Sequence, residues 1–145
     1  RTAGALGRQG EAAIEAATGL SKNTESFVVN GRTRIPDFIR TRDPVTGLPT
    51  SVIEEKNVQY QSLTQQLRDY RDLVGAGGRV DVALPPGARV TKPLQDAFDN
   101  PNNPLSGWTF PNDHRGYLAS TLFGGALEFS EGVGRLPSFR RAVAV

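Results

Sequence analysis

A helical stripe set between two strand-like runs constrains this chain more than any other feature. Leu63, Leu67, Tyr70 and Val74 recur at i, i+4, i+7 and i+11, the spacing of one helical face. The spacing predicts a helix over about Gln59–Val74, ended by Gly75, Gly77 and Gly78. Before it, Val52 and Ile53 lie in a β-prone run from Thr50 to Asn57. After it, Val80, Val82 and Leu84 alternate with Arg79, Asp81 and Ala83 until Pro85-Pro86 stops the strand. Strands alternating with helices point to an α/β fold, a sheet covered by helices.

The flanking segments extend this pattern. Leu6, Ala13, Ile14 and Ala17 fall at helical spacing within Gly4–Thr18, with Gly19 as a stop and with Gly7 and Gly10 weakening the first half. Ser26–Val29 is β-prone, and Asn30-Gly31 is the strongest two-residue hairpin signal. A return strand is expected from about Arg32 to Arg40, with Pro36 marking an edge, a bulge or the end of pairing. Asp43–Pro49 is rich in turn residues. Thr91 is placed to cap a short helix over Lys92–Asp99, with Pro93 tolerated in its first turn. Asn100–Pro104 reads as a loop, and Trp108–Val145 shows no clear period. The 145 residues suit one domain, 1–145, with a core over about 4–98 and an irregular extension over about 99–145.

Composition removes several chemistries. There are no cysteines, so no disulfide framework, thiolate nucleophile or cysteine zinc site. A single histidine, His114, leaves no multi-histidine metal centre and makes a Ser-His-Asp hydrolase a poor fit. No apolar run approaches the roughly 20 residues of a membrane helix. The net charge is only +2, yet 14 of the 17 basic residues are arginines, whose guanidinium fork pairs with phosphate and carboxylate. The chain begins at Arg1 and contains no Met, as expected of a piece cut from a longer polypeptide.

The acids fall at particular places on this framework. Asp37 follows Pro36 on the second strand. Glu54 and Lys56 are two apart on the third, so a period of two directs both to one face. Carboxylates on neighbouring strands can hold a hard divalent cation through oxygen. A lysine beside them can orient a water or steady charge on a phosphate. That is an inventory for phosphodiester hydrolysis without cysteine or histidine.

Pro36-Asp37 followed by Glu54-Glu55-Lys56 resembles the PD-(D/E)xK nuclease superfamily, over about residues 4–98. The element order agrees with its restriction-endonuclease-like αβββαβ core, a mixed central sheet flanked by helices on both faces. Glu11, in Leu6-Gly7-Arg8-Gln9-Gly10-Glu11, is similar to the first-helix acid that many members place near the metal. Gln66-Leu67-Arg68-Asp69-Tyr70 matches the Q-x-x-x-Y motif of the RecB-like branch, and its i, i+4 spacing puts Gln66 and Tyr70 on one helical face. Arg34-Ile35-Pro36-Asp37, Val52–Asn57 and Gln65–Tyr70 look like the restriction-endonuclease-fold toxins at the C-termini of bacterial polymorphic and Rhs-type effectors. Glu55 departs from the pattern, since many relatives have an apolar residue there. It either sits at a solvated edge or takes part in the site; the x-Lys spacing selects Glu54.

The resemblance implies a Mg²⁺-dependent (or Mn²⁺-dependent) endonuclease. Asp37 and Glu54 would bind the metal with help from Glu11. Lys56 would position the water or stabilise the transition state, and Gln66 and Tyr70 would orient the site. The substrate would be DNA, with RNA as the other choice. The chain would be the toxic tip of a secreted antibacterial effector, acting in the cytoplasm of a target cell and neutralised by an acidic cognate immunity protein. Two other readings keep the fold: a repair, recombination or restriction nuclease domain, or a catalytically silent binding module. Blander assignments exist for each residue. Asp37 can be a turn residue, Glu54 and Lys56 a solvated pair, Glu11 a helix-dipole partner, and Gln66 and Tyr70 core-flanking positions. Arg32, Arg34, Arg40 and Arg42 either deter edge pairing or track a phosphate backbone. Arg135, Arg140 and Arg141 carry the same ambiguity. Trp108 and Phe110 read as core.

Overall fold

A computed structural model describes residues 3–109. Helix α1 (Ala3–Thr18) is followed by a hairpin of β1 (Phe27–Val29) and β2 (Arg32–Arg34). Then come β3 (Phe38–Arg42), β4 (Pro49–Glu55), β5 (Tyr60–Gln61), α2 (Gln65–Val74), β6 (Arg79–Leu84), β7 (Arg89–Val90), α3 (Lys92–Asp99) and β8 (Leu105–Thr109). The central sheet has the order β3-β4-β6-β8; β3 runs antiparallel to β4, and the other two pairings are parallel. The expected mixed α/β sheet is therefore present.

Side-chain alternation on β4 and β6 separates two packed layers. Val52, Val80, Val82 and Leu84 meet Leu67, Tyr70 and Val74 of α2 and Leu94 and Phe98 of α3. On the other face Ile53 and Ala83, with Phe38, pack against Ile14 and Ala17 of α1. Helices thus cover both faces, as the apolar stripes require. The parallel register sets Glu54 opposite Val82 and Glu55 opposite Ala83, and the Lys56 N–H extends the ladder to the Ala83 carbonyl at 2.9 Å.

Four local expectations are corrected. The return strand from Arg32 to Arg40 is two strands in two sheets, β2 and β3. Pro36 has no N–H to donate, and the carbonyls around it are taken elsewhere. Tyr70 Oη donates to the Ile35 carbonyl at 3.1 Å, Asn23 Nδ2 to the Pro36 carbonyl at 2.8 Å, and the Asn23 N–H to the Asp37 carbonyl at 2.7 Å. The second helix starts at Gln65, not Gln59. Thr64 caps it by accepting from the Leu67 N–H at 3.2 Å, while Tyr60–Gln61 pairs with Arg89–Val90 as β5 and β7. The third strand ends at Glu55 rather than Asn57. Thr91 precedes α3 without a side-chain capping bond.

The hairpin turn is as expected: Asn30 and Gly31 have φ of 52° and 76°, the paired positive values of a type I′ turn. Strand β8, unassigned by periodicity, closes the sheet. Its Trp108 is buried, and the indole N–H donates to the buried Asp81 carboxylate at 2.5 Å. His114, Phe110, Arg135, Arg140 and Arg141 lie outside the described residues.

Candidate active site

The acids meet where β4 ends and β3 begins. Phe38 pairs with Ile53, so Asp37, the residue before β3, lies beside the C-terminal end of β4. Its Oδ2 accepts the Glu55 N–H at 2.8 Å, which pins the carboxylate across the strand end. Adjacent residues on a strand point to opposite faces. Glu54 therefore enters the α2 side and Glu55 the α1 side, with Asp37 between them. Both glutamates are buried.

On the α1 side, Glu11, Asp37 and Glu55 each offer a carboxylate oxygen within 4.8 Å of the others. Glu11 lies in the middle of α1, away from the first turn where a helix dipole would favour it, so the dipole reading does not describe it. Glu55 is neither apolar nor at a solvated edge: it takes part in the cluster. Lys22, from the connection between α1 and β1, reaches the same place. Its Nζ donates to Glu11 Oε1 at 2.7 Å and also to Asp37 Oδ1. Asn23 anchors this connection to the Pro36 and Asp37 carbonyls.

On the α2 side, Glu54 stands beside Asp37, Tyr70 and Lys56. Lys56 Nζ donates to Gln66 Oε1 at 2.5 Å, and Gln66 Nε2 lies 3.4 Å from Tyr70 Oη. Gln66 and Tyr70 thus share one helical face directed at the site. Tyr70 is at the same time a fully buried core side chain, so its ring packs in the core while its hydroxyl stands beside Glu54.

The crowding of carboxyls splits their protonation. Burial, then hydrogen bonding to Asp37 and its charge, pushes Glu54 well above the usual carboxylate range. Burial and the charges of Asp37 and Glu11 push Glu55 up to about 8. Asp37 moves the other way: burial would raise it, but hydrogen bonds from Glu54, Lys22 and the Glu55 N–H outweigh that and hold it below its ordinary value. Tyr70 is raised by burial and then by Glu54, so its phenol stays protonated. Glu54 Oε2 and Glu55 Oε1 are buried and have no hydrogen-bond partner among the described residues. Buried polar atoms are seldom left so without a ligand to meet them. An all-oxygen donor set with unmet lone pairs suits a hard divalent cation.

The four arginines do not line one strand, because β2 and β3 belong to different sheets. Arg32 donates Nε and a terminal NH₂ to Asp69 at 2.7 and 2.8 Å, and Arg34 Nε donates to Asp69 Oδ2 at 2.8 Å. Asn30 and Gln65 complete the shell of this fully buried carboxylate at 3.1 and 3.0 Å. Arg32 first, with Gln65, Arg34 and Asn30, holds the Asp69 carboxyl far below the usual range despite its burial. Arg32 and Arg34 thus clamp the hairpin to α2. Arg42 pairs with Glu25 at 2.6 Å on the surface, and Arg40 is exposed.

Three residues of this arrangement escaped sequence reasoning. Asp69 sits inside the Q-x-x-x-Y segment, but only the fold brings Arg32 and Arg34 to it. Lys22 and Asn23 lie in an unpatterned connection. The one available signal was scarcity, since the chain has only three lysines and two of them, Lys22 and Lys56, stand at the site.

No curated protein and no solved structure matches the chain. Residues 7–78, from α1 to the turn before β6, match the family model of restriction endonuclease fold toxin 7. That span contains every acid, lysine and amide of the site just described. By that match residues 7–78 are similar to restriction endonuclease fold toxin 7, a family of toxins with a restriction endonuclease fold.

Proposed function

We propose that the chain is a divalent-metal-dependent endonuclease that cleaves DNA, and that it acts as the toxin of a secreted antibacterial effector. The observation that carries this reading is the convergence of Glu11, Asp37, Glu54, Glu55 and Lys56 at one end of β4. Asp37 and Glu54, with Glu11 and the neighbouring Glu55, would hold Mg²⁺ or Mn²⁺. The bound ion would supply Lewis acidity toward a phosphoryl oxygen and make a water easier to deprotonate. Lys56, held by Gln66, directs its ammonium at the negative charge that builds on the phosphoryl oxygens as water attacks. Tyr70 keeps the Ile35–Asp37 segment in place through the Ile35 carbonyl. Water gives up a proton as its oxygen bonds to phosphorus, and the bridging ester oxygen leaves and takes up a proton, so that one phosphate end and one hydroxyl end result.

The whole chain would act as this one domain. Arg40, exposed on β3, remains available to meet a phosphate, whereas Arg42 is held by Glu25 and the Gly47 carbonyl at the far end of β3. A cell that makes such an enzyme needs protection. An acidic immunity protein covering the mouth of the site would compete with DNA, its carboxylates imitating phosphates. The target would lie in the cytoplasm of the attacked cell. Among the described residues no helix is long and apolar enough to cross a membrane.

Digestion of supercoiled plasmid and of a structured RNA tests the reading. Cleavage of the plasmid with Mg²⁺ or Mn²⁺, poor cleavage with Ca²⁺, and none in excess EDTA are expected, because Ca²⁺ prefers looser, higher coordination. Full activity in EDTA rules out the metal mechanism, and cleavage of the RNA alone rules out the DNase assignment.

A further inference from the structure

We propose that Lys22 is the resident counter-ion of the acidic site, exchanged for the divalent cation when the metal binds. The proposal deepens the metal-dependent reading above and rests on it. Two of the three clustered carboxyls, Glu11 and Asp37, already spend an oxygen on Lys22 Nζ. A divalent cation drawing on those same oxygens would lie against the ammonium, and two positive charges at contact distance repel. The ion and the lysine therefore compete for one place.

Both the delivery and the exit of the side chain are built in. Asn23 fixes the backbone next to Lys22 by bonds to the Pro36 and Asp37 carbonyls, and its side chain also bonds both backbone groups of Glu25. The connection is thus tied to the residue whose carboxylate Lys22 neutralises. The Lys22 side chain itself is 35% exposed, so its ammonium can swing into water without moving that backbone. Lys56 does not share this role, because its Nζ is bound to Gln66 on the opposite side of β4. In the metal-free protein Lys22 lets Glu11 and Asp37 stand together; in the loaded protein it is released beside the site.

Mn²⁺ binding, measured by calorimetry on the whole chain and on Lys22→Met, tests the exchange. Removing the competitor should tighten Mn²⁺ binding about tenfold or more, and the variant's metal-free form should melt lower than the wild type. A second measurement needs no variant. Reductive methylation read by mass spectrometry should modify Lys22 slowly in EDTA and faster with saturating Mg²⁺. Lys92, exposed on α3, serves as the internal reference. Equal or weaker Mn²⁺ binding by Lys22→Met overturns the exchange while leaving the metal reading intact, as does a methylation rate that ignores a bound ion. Absence of Mn²⁺ binding by both chains overturns the metal reading and this inference together.

Discussion

Gly10 and Glu55 share one space. A β-carbon built on Gly10 would stand 2.1 Å from Glu55 Oε1 and 2.5 Å from its carboxyl carbon. A glycine inside a helix costs about 1 kcal/mol relative to alanine. Helix α1 bears that cost where β4 delivers a carboxyl against it. At Gly7, one turn earlier, a β-carbon would meet nothing within 4 Å, so no such reason holds there.

Gly10→Ala should therefore separate stability from function. The helix gains propensity, while Glu55 is pushed out of the cluster with Glu11 and Asp37. Cleavage and Mn²⁺ affinity should fall about tenfold or more, with the melting temperature changed little. Gly7→Ala should raise the melting temperature and leave cleavage alone. Parallel melts and plasmid assays on the two variants check this, and a fully active Gly10→Ala contradicts it.

Asp37→Asn, Glu54→Gln and Lys56→Ala should each lower the cleavage rate about 10²-fold or more, the scale of losing one charge-stabilising group. Each should keep a cooperative melt, since the two layers of apolar core are untouched. Glu55→Gln ranks the glutamates. If it is dead while Glu54→Gln cleaves normally, the acid of the motif is Glu55, and the x-Lys spacing misassigns it.

The metal-free protein should lose stability as pH rises. Glu55 has a folded value of about 8 against an ordinary 4.5, so between those values the folded state holds more protons than the unfolded one. Stability contributed by the neutral carboxyl is complete below about 4.5 and is lost as pH rises through about 8. Glu54 acts in the same sense. Asp37, held below its ordinary value, acts oppositely, and its contribution is lost on acidification below about pH 4. With solvent screening at Glu55, the loss between pH 5 and 9 should be on the order of 1–3 kcal/mol. Melts in EDTA should show this slope, and Glu55→Gln should flatten it.

Asp69→Ala should be among the most damaging single changes outside the apolar core. It takes from the Arg32 and Arg34 guanidiniums and the Gln65 amide the acceptor they share, whereas removing an exposed pair such as Arg71–Asp72 costs little. The melting temperature should drop well beyond that of Arg71→Ala. Cleavage should fall too, because β2 leads directly into Pro36-Asp37. A melt equal to that of Arg71→Ala contradicts this.

Local pattern was sufficient for part of this molecule. The stripe of α2, the alternation of β6, the Asn30-Gly31 turn and the helix over Lys92–Asp99 follow from residue spacing and turn chemistry, which act over a few neighbours. The pairing of Asp37 with Glu54 and Lys56 was legible for the same reason, because a motif records which residues a strand end must present. The tertiary structure decided what depends on meetings between distant segments. It split the strand at Pro36, because Tyr70 and Asn23 take the carbonyls that a ladder would have used. It shortened α2, because β7 claims Tyr60–Gln61. It turned Arg32 and Arg34 from rim residues into a clamp on Asp69, and it brought Glu55 and Lys22 into the site. Each of these outcomes was settled by which hydrogen-bond partner or charge stood nearest in space, and that neighbour lies 11 to 37 residues away along the chain.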